Sequence, residues 1–458
     1  MSAVIDTTAA QVTAHVRKGG ESAALTVGAG DRAIAFNADG DISLAHFQRE
    51  VRGVAATLPD APYAINLCED RYRFLVGFCA AAVRGQTTLL PSSRATAVVD
   101  EVLAAHPGAF CLGDLPLSPR PPHYHCLPAQ LPQADGDTLT VRNDALVAIG
   151  FTSGSTGQPR PNPKYWQSLL ASTAQNLAAL GDLLDRSGST HLVATVPPQH
   201  MYGMEMSVLL PLLGPVAVHG AKPFFPEDVA CALAEAITPP LLVTPPVHLR
   251  ALVHSGAALP PLAGIVSATA PLPPELAAAA EARYGCEVRE VFGSTETCVI
   301  ARRRTAVETA WTPLPGVRVL PQPDGAAVHA PHLAEPVVLA DLVEVHADGR
   351  FELRGRNADL LEIAGKRGSL GDLTRKLLAI PGVDDGVVFQ LDACDGPGVR
   401  RIAALAVAPG LDPAAILAAL RQQVDPVFLP RRLRCVDRLP RNDTGKLPRT
   451  ALVELLGG

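Results

Sequence analysis

Through the middle of the chain, apolar runs of strand length alternate with segments whose apolar residues recur at helical spacing. Ala145-Leu146-Val147-Ala148-Ile149 reads as a buried strand, and Trp166 to Leu184 as a long amphipathic helix. Further strands are predicted at Leu192–Val196, Leu241–Thr244, Gly264–Ser267 and Val288–Phe292. Helical patterns at Pro226–Ala236, Val247–Ser255 and Pro274–Tyr284 separate several of them. That rhythm requires crossover connections, which build a largely parallel sheet with helices on its faces. After Arg356 the texture changes, and a charged, glycine-punctuated stretch leads into a helix–strand–strand–helix segment. The expectation is an α/β fold: a large N-terminal domain, 1–356, with mostly parallel helix-flanked sheets, and a small α+β C-terminal domain, 357–458. The 458 residues fit two domains, since one core stops growing at roughly 250–300 residues.

Composition narrows the class. The chain is 48% hydrophobic and only 18% charged, which excludes a disordered protein. A net charge of −6 argues against nucleic-acid binding, which calls for a basic excess or patch. The nine cysteines are odd in number and form no C-x-x-C pair, so reduced thiols in the cytoplasm fit better than a disulfide framework or zinc ribbon. The N-terminus lacks the charged and apolar regions of a secretory signal. Ala251 to Pro274 is uncharged but carries five prolines, and Met206 to Ala221 falls short of the ~20 residues a span needs. Both read as buried pieces of an α/β core, with no transmembrane segment.

Two motifs reduce to structure. Gly28-Ala29-Gly30-Asp31-Arg32-Ala33 fits a dinucleotide fingerprint formally, but a strand-like Ala33–Phe36 and a turn at Asn37–Asp41 follow, as in a hairpin. His123-Tyr124-His125-Cys126 sits in a proline-rich loop without partner ligands at metal-site spacing.

Other segments carry chemistry. Thr152-Ser153-Gly154-Ser155-Thr156-Gly157, between the best strand and the long helix, offers hydroxyls and flexible backbone N–H groups suited to polyphosphate oxygens. It is not a Walker loop, because no G-x-x-x-x-G-K-[S/T] occurs in the chain, and a phosphotransferase of that kind is disfavoured. Phe292-Gly293-Ser294-Thr295-Glu296 puts a turn, hydroxyls and a carboxylate at a strand's carboxyl end, where open α/β sheets bind ligands. Asp341 and Arg356 supply an acid and a base, and Lys446 sits on a glycine-containing loop near the C-terminus.

In this order and spacing, these segments resemble the adenylate-forming superfamily of acyl-CoA synthetases, peptide-synthetase adenylation domains and luciferases. The resemblance runs from about 145 to the C-terminus and is weak upstream. Pro198-Gln199-His200-Met201-Tyr202-Gly203 is similar to the family's H-x-x-G segment beside the acyl pocket.

The resemblance implies that a carboxylate attacks the α-phosphate of ATP, giving an acyl-adenylate, and that a thiol then displaces AMP. It implies that Thr152, Ser153, Gly154, Ser155, Thr156 and Gly157 hold the outer phosphates. Gly293, Ser294, Thr295 and Glu296 would lie at the α-phosphate, with Glu296 on Mg²⁺. Phe292 would stack on adenine beside Ala268-Thr269-Ala270-Pro271, and Asp341, supported by Arg356, would bind ribose. His200, Met204 and Gly293 would line the acid pocket, Arg367 would lie on the glycine turn that enters for thioester formation, and Lys446 would bridge carboxylate and α-phosphate. The C-terminal domain would be mobile.

Two departures stand out. Arg160 replaces the family's lysine after the phosphate loop, with Lys164 near enough to substitute. At the hinge the run is Asn357-Ala358-Asp359, leaving the pivot to Asp359 or Ala358. Asn66–Phe74 and Trp311–Gly316 look like stand-alone ligases of bacterial aryl-polyene and related pigment or lipid pathways. That likeness implies loading of an aromatic or fatty acid onto an acyl carrier protein. The alternatives are a synthetase using free CoA and, more remotely, a non-catalytic nucleotide-binding relative.

Overall fold

A computed structural model describes residues 20–153, 159–184, 189–323, 325–356, 360–363, 366–394, 400–442 and 445–457. The chain packs as two compact units. One holds the described residues through Arg318 with His329–Val337, and the other holds Val319–Val328 with the residues from Val338 onward.

The first unit is built on two large sheets. In one, Val288–Ser294, Gly264–Ser267, Leu241–Thr244, Thr190–Ala194, Val216–His219 and Ala33–Asn37 lie side by side and parallel. Antiparallel strands close its edges: Cys298–Arg303 and Thr312–Pro313 on one side, Gly40–Ser43 on the other. The second sheet runs Pro159–Tyr165, Leu146–Ser153, Thr87–Leu90, Tyr63–Asn66, Phe110–Gly113, Tyr124–Cys126, parallel except for the first pair. The expected mostly parallel, helix-flanked α/β architecture is therefore present, and Ala33–Asn37 with Gly40–Ser43 forms the expected hairpin.

Buried on both faces, the central strands are almost wholly apolar, as parallel strands must be. Val193, Leu242, Ile265 and Val288 pack against Leu249, Leu252, Leu276 and Ala277 of the helices Pro246–Ser255 and Pro274–Tyr284. Each such valine, leucine or isoleucine contributes about 1.5–3 kcal/mol relative to exposure. Both helices begin on proline and stop at a left-handed glycine, Gly256 (φ 74°) and Gly285 (φ 65°), which bounds them sharply. The long helix runs Trp166–Leu180, shorter than the periodicity predicts, because Gly181 opens a turn there.

Pro159–Tyr165 is a strand that proline content hid. Prolines 159, 161 and 163 alternate on an edge strand, so their missing N–H groups face away from the ladder, while residues 160, 162 and 164 keep theirs.

The second unit opens with a three-stranded sheet, Arg318–Gln322, Gly325–His329 and Val337–Leu339, followed by the hairpin Asp341–Val345/Phe351–Arg356. A shorter hairpin, Leu360–Ile363/Lys366–Ser369, precedes the helix Leu370–Leu378. Asp385–Cys394 then pairs antiparallel with Arg400–Val407, which carries Arg432–Cys435 in parallel. Alternation along that strand serves two cores: Ile402 and Ala404 face Leu373, Leu377 and Ile416, while Ala403 and Leu405 face Phe389, Leu439 and Leu452. This is the expected α+β texture. Among the described residues no helix is long and apolar enough to cross a membrane.

Candidate functional site

The strand Val288–Ser294 ends in a three-residue turn, Thr295-Glu296-Thr297, that returns antiparallel as Cys298–Arg303, with Ser294 opposite Cys298. Gly293 is obligatory, since a Cβ there would lie 2.0 Å from the Cys298 carbonyl oxygen. The hydroxyls of Ser294 and Thr297 are consumed by the turn: the Ser294 N–H donates to Thr297 Oγ1 (3.0 Å) and the Thr297 N–H to Ser294 Oγ (3.2 Å). Thr295 and Glu296 are half-buried, and among the described residues neither the Thr295 hydroxyl nor the Glu296 carboxylate has a hydrogen-bond partner. Cys298 holds φ 58°, a left-handed conformation that costs a non-glycine residue on the order of 1–3 kcal/mol and persists only where the surroundings enforce it.

Across from the turn stands the hairpin that leads into and out of the serine-threonine loop. A Cβ on Gly150 would come within 2.8 Å of Thr295 Cγ2, so the two hairpins touch at this glycine. Register pairs Arg160 with Thr152, Asn162 with Gly150 and Lys164 with Ala148. Opposed residues share a face, so all six lie on the side that meets Thr295. Asn162 Nδ2 reaches Thr152 Oγ1 at 3.5 Å. Gly154, Ser155, Thr156 and Gly157 lie outside the described residues, as does the Ser153 side chain. Arg160 is exposed, whereas Lys164 is enclosed and donates to the Glu296 carbonyl oxygen at 3.2 Å. Lys164 therefore does not stand in as a loose second cation, because its ammonium is committed beneath the turn.

Phe292 meets Trp311 with ring centroids 5.3 Å apart, and the Arg303 guanidinium lies 4.3 Å over the Trp311 ring. At the end of the neighbouring strand, Ala268 is buried and Thr269 adopts φ 82°, an outlier for a β-branched residue, in the segment expected beside adenine. Ala270 is half-buried and Pro271 exposed. His200 caps the short helix Met201–Met204, in which Met204 is fully buried. Tyr202 ties that helix to the same strand edge by donating to the Val266 carbonyl oxygen (2.8 Å). Gly203 is again required, because its Cβ would sit 2.0 Å from the Pro197 carbonyl oxygen.

Beneath this edge lie buried charges that periodicity does not reveal. Arg71 donates to the carbonyl oxygens of Ala194 and Val196 (2.8 Å each) and to Ser207 Oγ (2.6 Å), and burial lowers its guanidinium to about 10, still protonated at neutral pH. Glu205 is fully enclosed. Both its oxygens accept from the Val299 N–H (3.0 and 3.2 Å) and one from Asn176 Nδ2 (3.0 Å), while burial pushes its carboxyl up to about 7. His332 places Nε2 2.6 Å from the Thr297 carbonyl oxygen and Nδ1 2.6 Å from the side-chain amide of Gln175. Both ring nitrogens face oxygens, Nε2 the Thr297 carbonyl and Nδ1 Gln175 Oε1, and burial holds the imidazole below its ordinary value. Burial also raises the Cys298 thiol to about 12, leaving it inert. The only sequence signal for this group is polar residues inside apolar runs.

In the second unit, Asp341 and Arg356 stand opposite each other in the backbone register of their hairpin. Arg367 stands opposite Glu362 in the backbone register of the next one. Ala358, Asp359 and Gly365 lie outside the described residues. Lys446 is exposed on a loop organised by Asn442, whose Oδ1 accepts from the Lys446 N–H (2.8 Å), and by Arg441, which forks onto Asp385 (2.8 and 2.7 Å) and reaches the Gly445 carbonyl oxygen (2.7 Å). Among the described residues its ammonium has no partner.

The carboxyl edge of an open parallel sheet is where α/β enzymes bind their ligands, and here it presents the Thr295 hydroxyl and the Glu296 carboxylate against the Leu146–Ser153/Pro159–Tyr165 hairpin. The AMP-binding enzyme family matches residues 65–328, more than half of the chain, and the chain belongs to that family. A 4-coumarate–CoA ligase of Rhodobacter capsulatus is 30% identical over 314 residues, covering 68% of this chain and 77% of its own. A sulfoacetate–CoA ligase of Cupriavidus necator is 26% identical over 415 residues, covering 81% and 76%. The ATP-bound MatB structure from Rhodopseudomonas palustris superposes with a TM-score of 0.79 over 97% of this chain and 98% of its own, at 19% identity, which establishes the shared fold. The protein is an ATP-using acid–thiol ligase that works through an acyl-adenylate.

Proposed function

We propose that this ligase activates an aromatic or fatty carboxylic acid and loads it onto an acyl carrier protein in the cytoplasm. The observation that carries the site assignment is the pair Thr295 and Glu296, half-buried and uncommitted, on a turn that abuts the phosphate-loop hairpin at Gly150. A free carboxylate beside a free hydroxyl suits a hard cation and phosphate oxygens, so Glu296 is the residue to hold Mg²⁺. When bound, that ion supplies charge neutralisation at the phosphates.

This chain's residues supply the rest. Thr152 to Gly157 hold the β- and γ-phosphates, and Thr295 donates at the α-phosphate. Phe292, backed by Trp311, stacks on adenine beside Ala268 to Pro271, while Asp341 and Arg356 take the ribose. His200, Met204 and Gly293 border the acid. Lys446, exposed and unpaired among the described residues, brings a cation to the reacting carboxylate and α-phosphate, on the domain 357–458 that pivots at Ala358 or Asp359. Arg367 enters with the glycine turn for thioester formation. The acceptor assignment rests on the likeness of Asn66–Phe74 and Trp311–Gly316 to carrier-protein ligases. Free CoA is the second reading, favoured by relatives named as CoA ligases.

Pyrophosphate exchange into ATP, run over a panel of carboxylic acids, tests the first half-reaction, and thioester yield with holo carrier protein against CoA tests the second. Exchange with an aromatic or fatty acid and preferential loading of carrier protein are expected. Absence of exchange with every acid sinks the ligase assignment, while preferential use of CoA overturns the acceptor alone.

A further inference from the structure

Three side chains from three separate segments converge on the main chain of the Thr295–Glu296 turn. Lys164, at the end of the Pro159–Tyr165 strand, donates to the Glu296 carbonyl oxygen (3.2 Å). His332, from the 329–337 segment, faces the Thr297 carbonyl oxygen (2.6 Å). Glu205, opening the π-helical turn Glu205–Leu209, accepts the Val299 N–H with both oxygens (3.0 and 3.2 Å). Their exposures are 4%, 4% and 1%, so no bulk water can replace any of these bonds. Between the gripped residues sits Cys298 at φ 58°.

Burying an ammonium and a carboxylate is a poor route to stability, because well-packed apolar residues of similar volume serve as well or better. None of the three side chains touches the Thr295 hydroxyl or the Glu296 carboxylate. What they hold is the peptide backbone from which those two groups project. Gln175 and Asn176, neighbours on the long helix, complete the arrangement, one on His332 and the other on Glu205.

We propose that Lys164, Glu205 and His332 form a buried clamp that positions Thr295 and Glu296 for adenylate formation, with Lys164 fixing the Glu296 peptide. Loss of the Lys164 donor leaves the Glu296 carbonyl buried without a partner. The peptide plane is then free to turn, and the carboxylate swings with it. Lys164 is thus a positioning residue whose charge is spent beneath the site. The inference rests on the assignment of Thr295 and Glu296 to the nucleotide.

The test uses the full chain carrying Lys164→Met, Glu205→Gln, His332→Gln or His332→Leu, with Thr295→Ala and Glu296→Ala as controls. Each folded variant is measured by pyrophosphate exchange, by calorimetric titration with Mg·ATP, and by thermal melting. Lys164→Met is expected to lower exchange kcat about ten- to a hundred-fold, as loss of an outer-shell partner does, and to weaken Mg·ATP, with KM for the acid within about twofold. His332→Gln, which keeps a donor toward Thr297, should retain activity that His332→Leu loses. Lys164→Met with Glu205→Gln should lose less than the product of the single losses, since both act on one turn. A folded Lys164→Met enzyme with unchanged kcat and Mg·ATP affinity overturns the clamp. If that variant fails to fold, equal activity of the two His332 variants overturns it instead. Unchanged exchange in Thr295→Ala and Glu296→Ala would fault the site assignment rather than the clamp.

Discussion

Glu205 is an acid sealed from solvent beside a lysine and two N–H donors, and its protonation links folding to pH. Burial raises its native value from 4.5 to about 7, so the native state binds a proton that the unfolded chain releases earlier. This contribution to stability is complete below pH 4.5 and is lost as pH rises through about 7, amounting to at most about 3 kcal/mol. Denaturant unfolding of the wild type and of Glu205→Gln across that window checks it, because the variant should lack this part of the decline. At this scale Thr295, Glu296, Phe292 and Lys446 were legible as motif residues, since each must be a particular chemical type at a particular spacing. Glu205 and His332 were not, because a charge inside an apolar run has meaning only once burial is known.

Among the elements, the parallel strands were the clearest. A strand covered on both faces has to be apolar throughout, so Leu241–Thr244 and Gly264–Ser267 appear in the sequence with their observed limits. The Pro159–Tyr165 strand was hidden for the opposite reason, since three prolines deny it the usual signal and only its edge position makes them tolerable. Its partner strand carries Gly150 at the contact with Thr295. Gly150→Ala places a Cβ within 2.8 Å of Thr295 Cγ2, so the turn must move by several tenths of an ångström. We expect a loss of about 1–3 kcal/mol in stability and a fall in pyrophosphate exchange, read by thermal melting and by exchange kcat. Unchanged exchange would show that the two hairpins need not be in register for the chemistry.

Across the whole molecule, the residues proposed to act on ATP and acid fall in both compact units, Thr152, Phe292, Thr295 and Glu296 in the first and Asp341, Arg356 and Lys446 in the second. Lys446 is exposed, so Lys446→Ala should leave the melting temperature unchanged while lowering exchange about a hundred- to a thousand-fold, as removal of one preorganised donor does. Retention of full exchange would take the lysine out of the first half-reaction. The sequence by itself determined the α/β class, the chemistry of the loops and the ligase family. These depend on residue type at fixed separation along the chain. Only the tertiary structure decided that Lys164 turns inward to the Glu296 carbonyl, that Gly150 and Thr295 are in contact, and that Glu205 and His332 grip one turn. Those contacts join residues 35 to 145 positions apart, and nothing in local periodicity encodes which distant backbone a buried charge will meet.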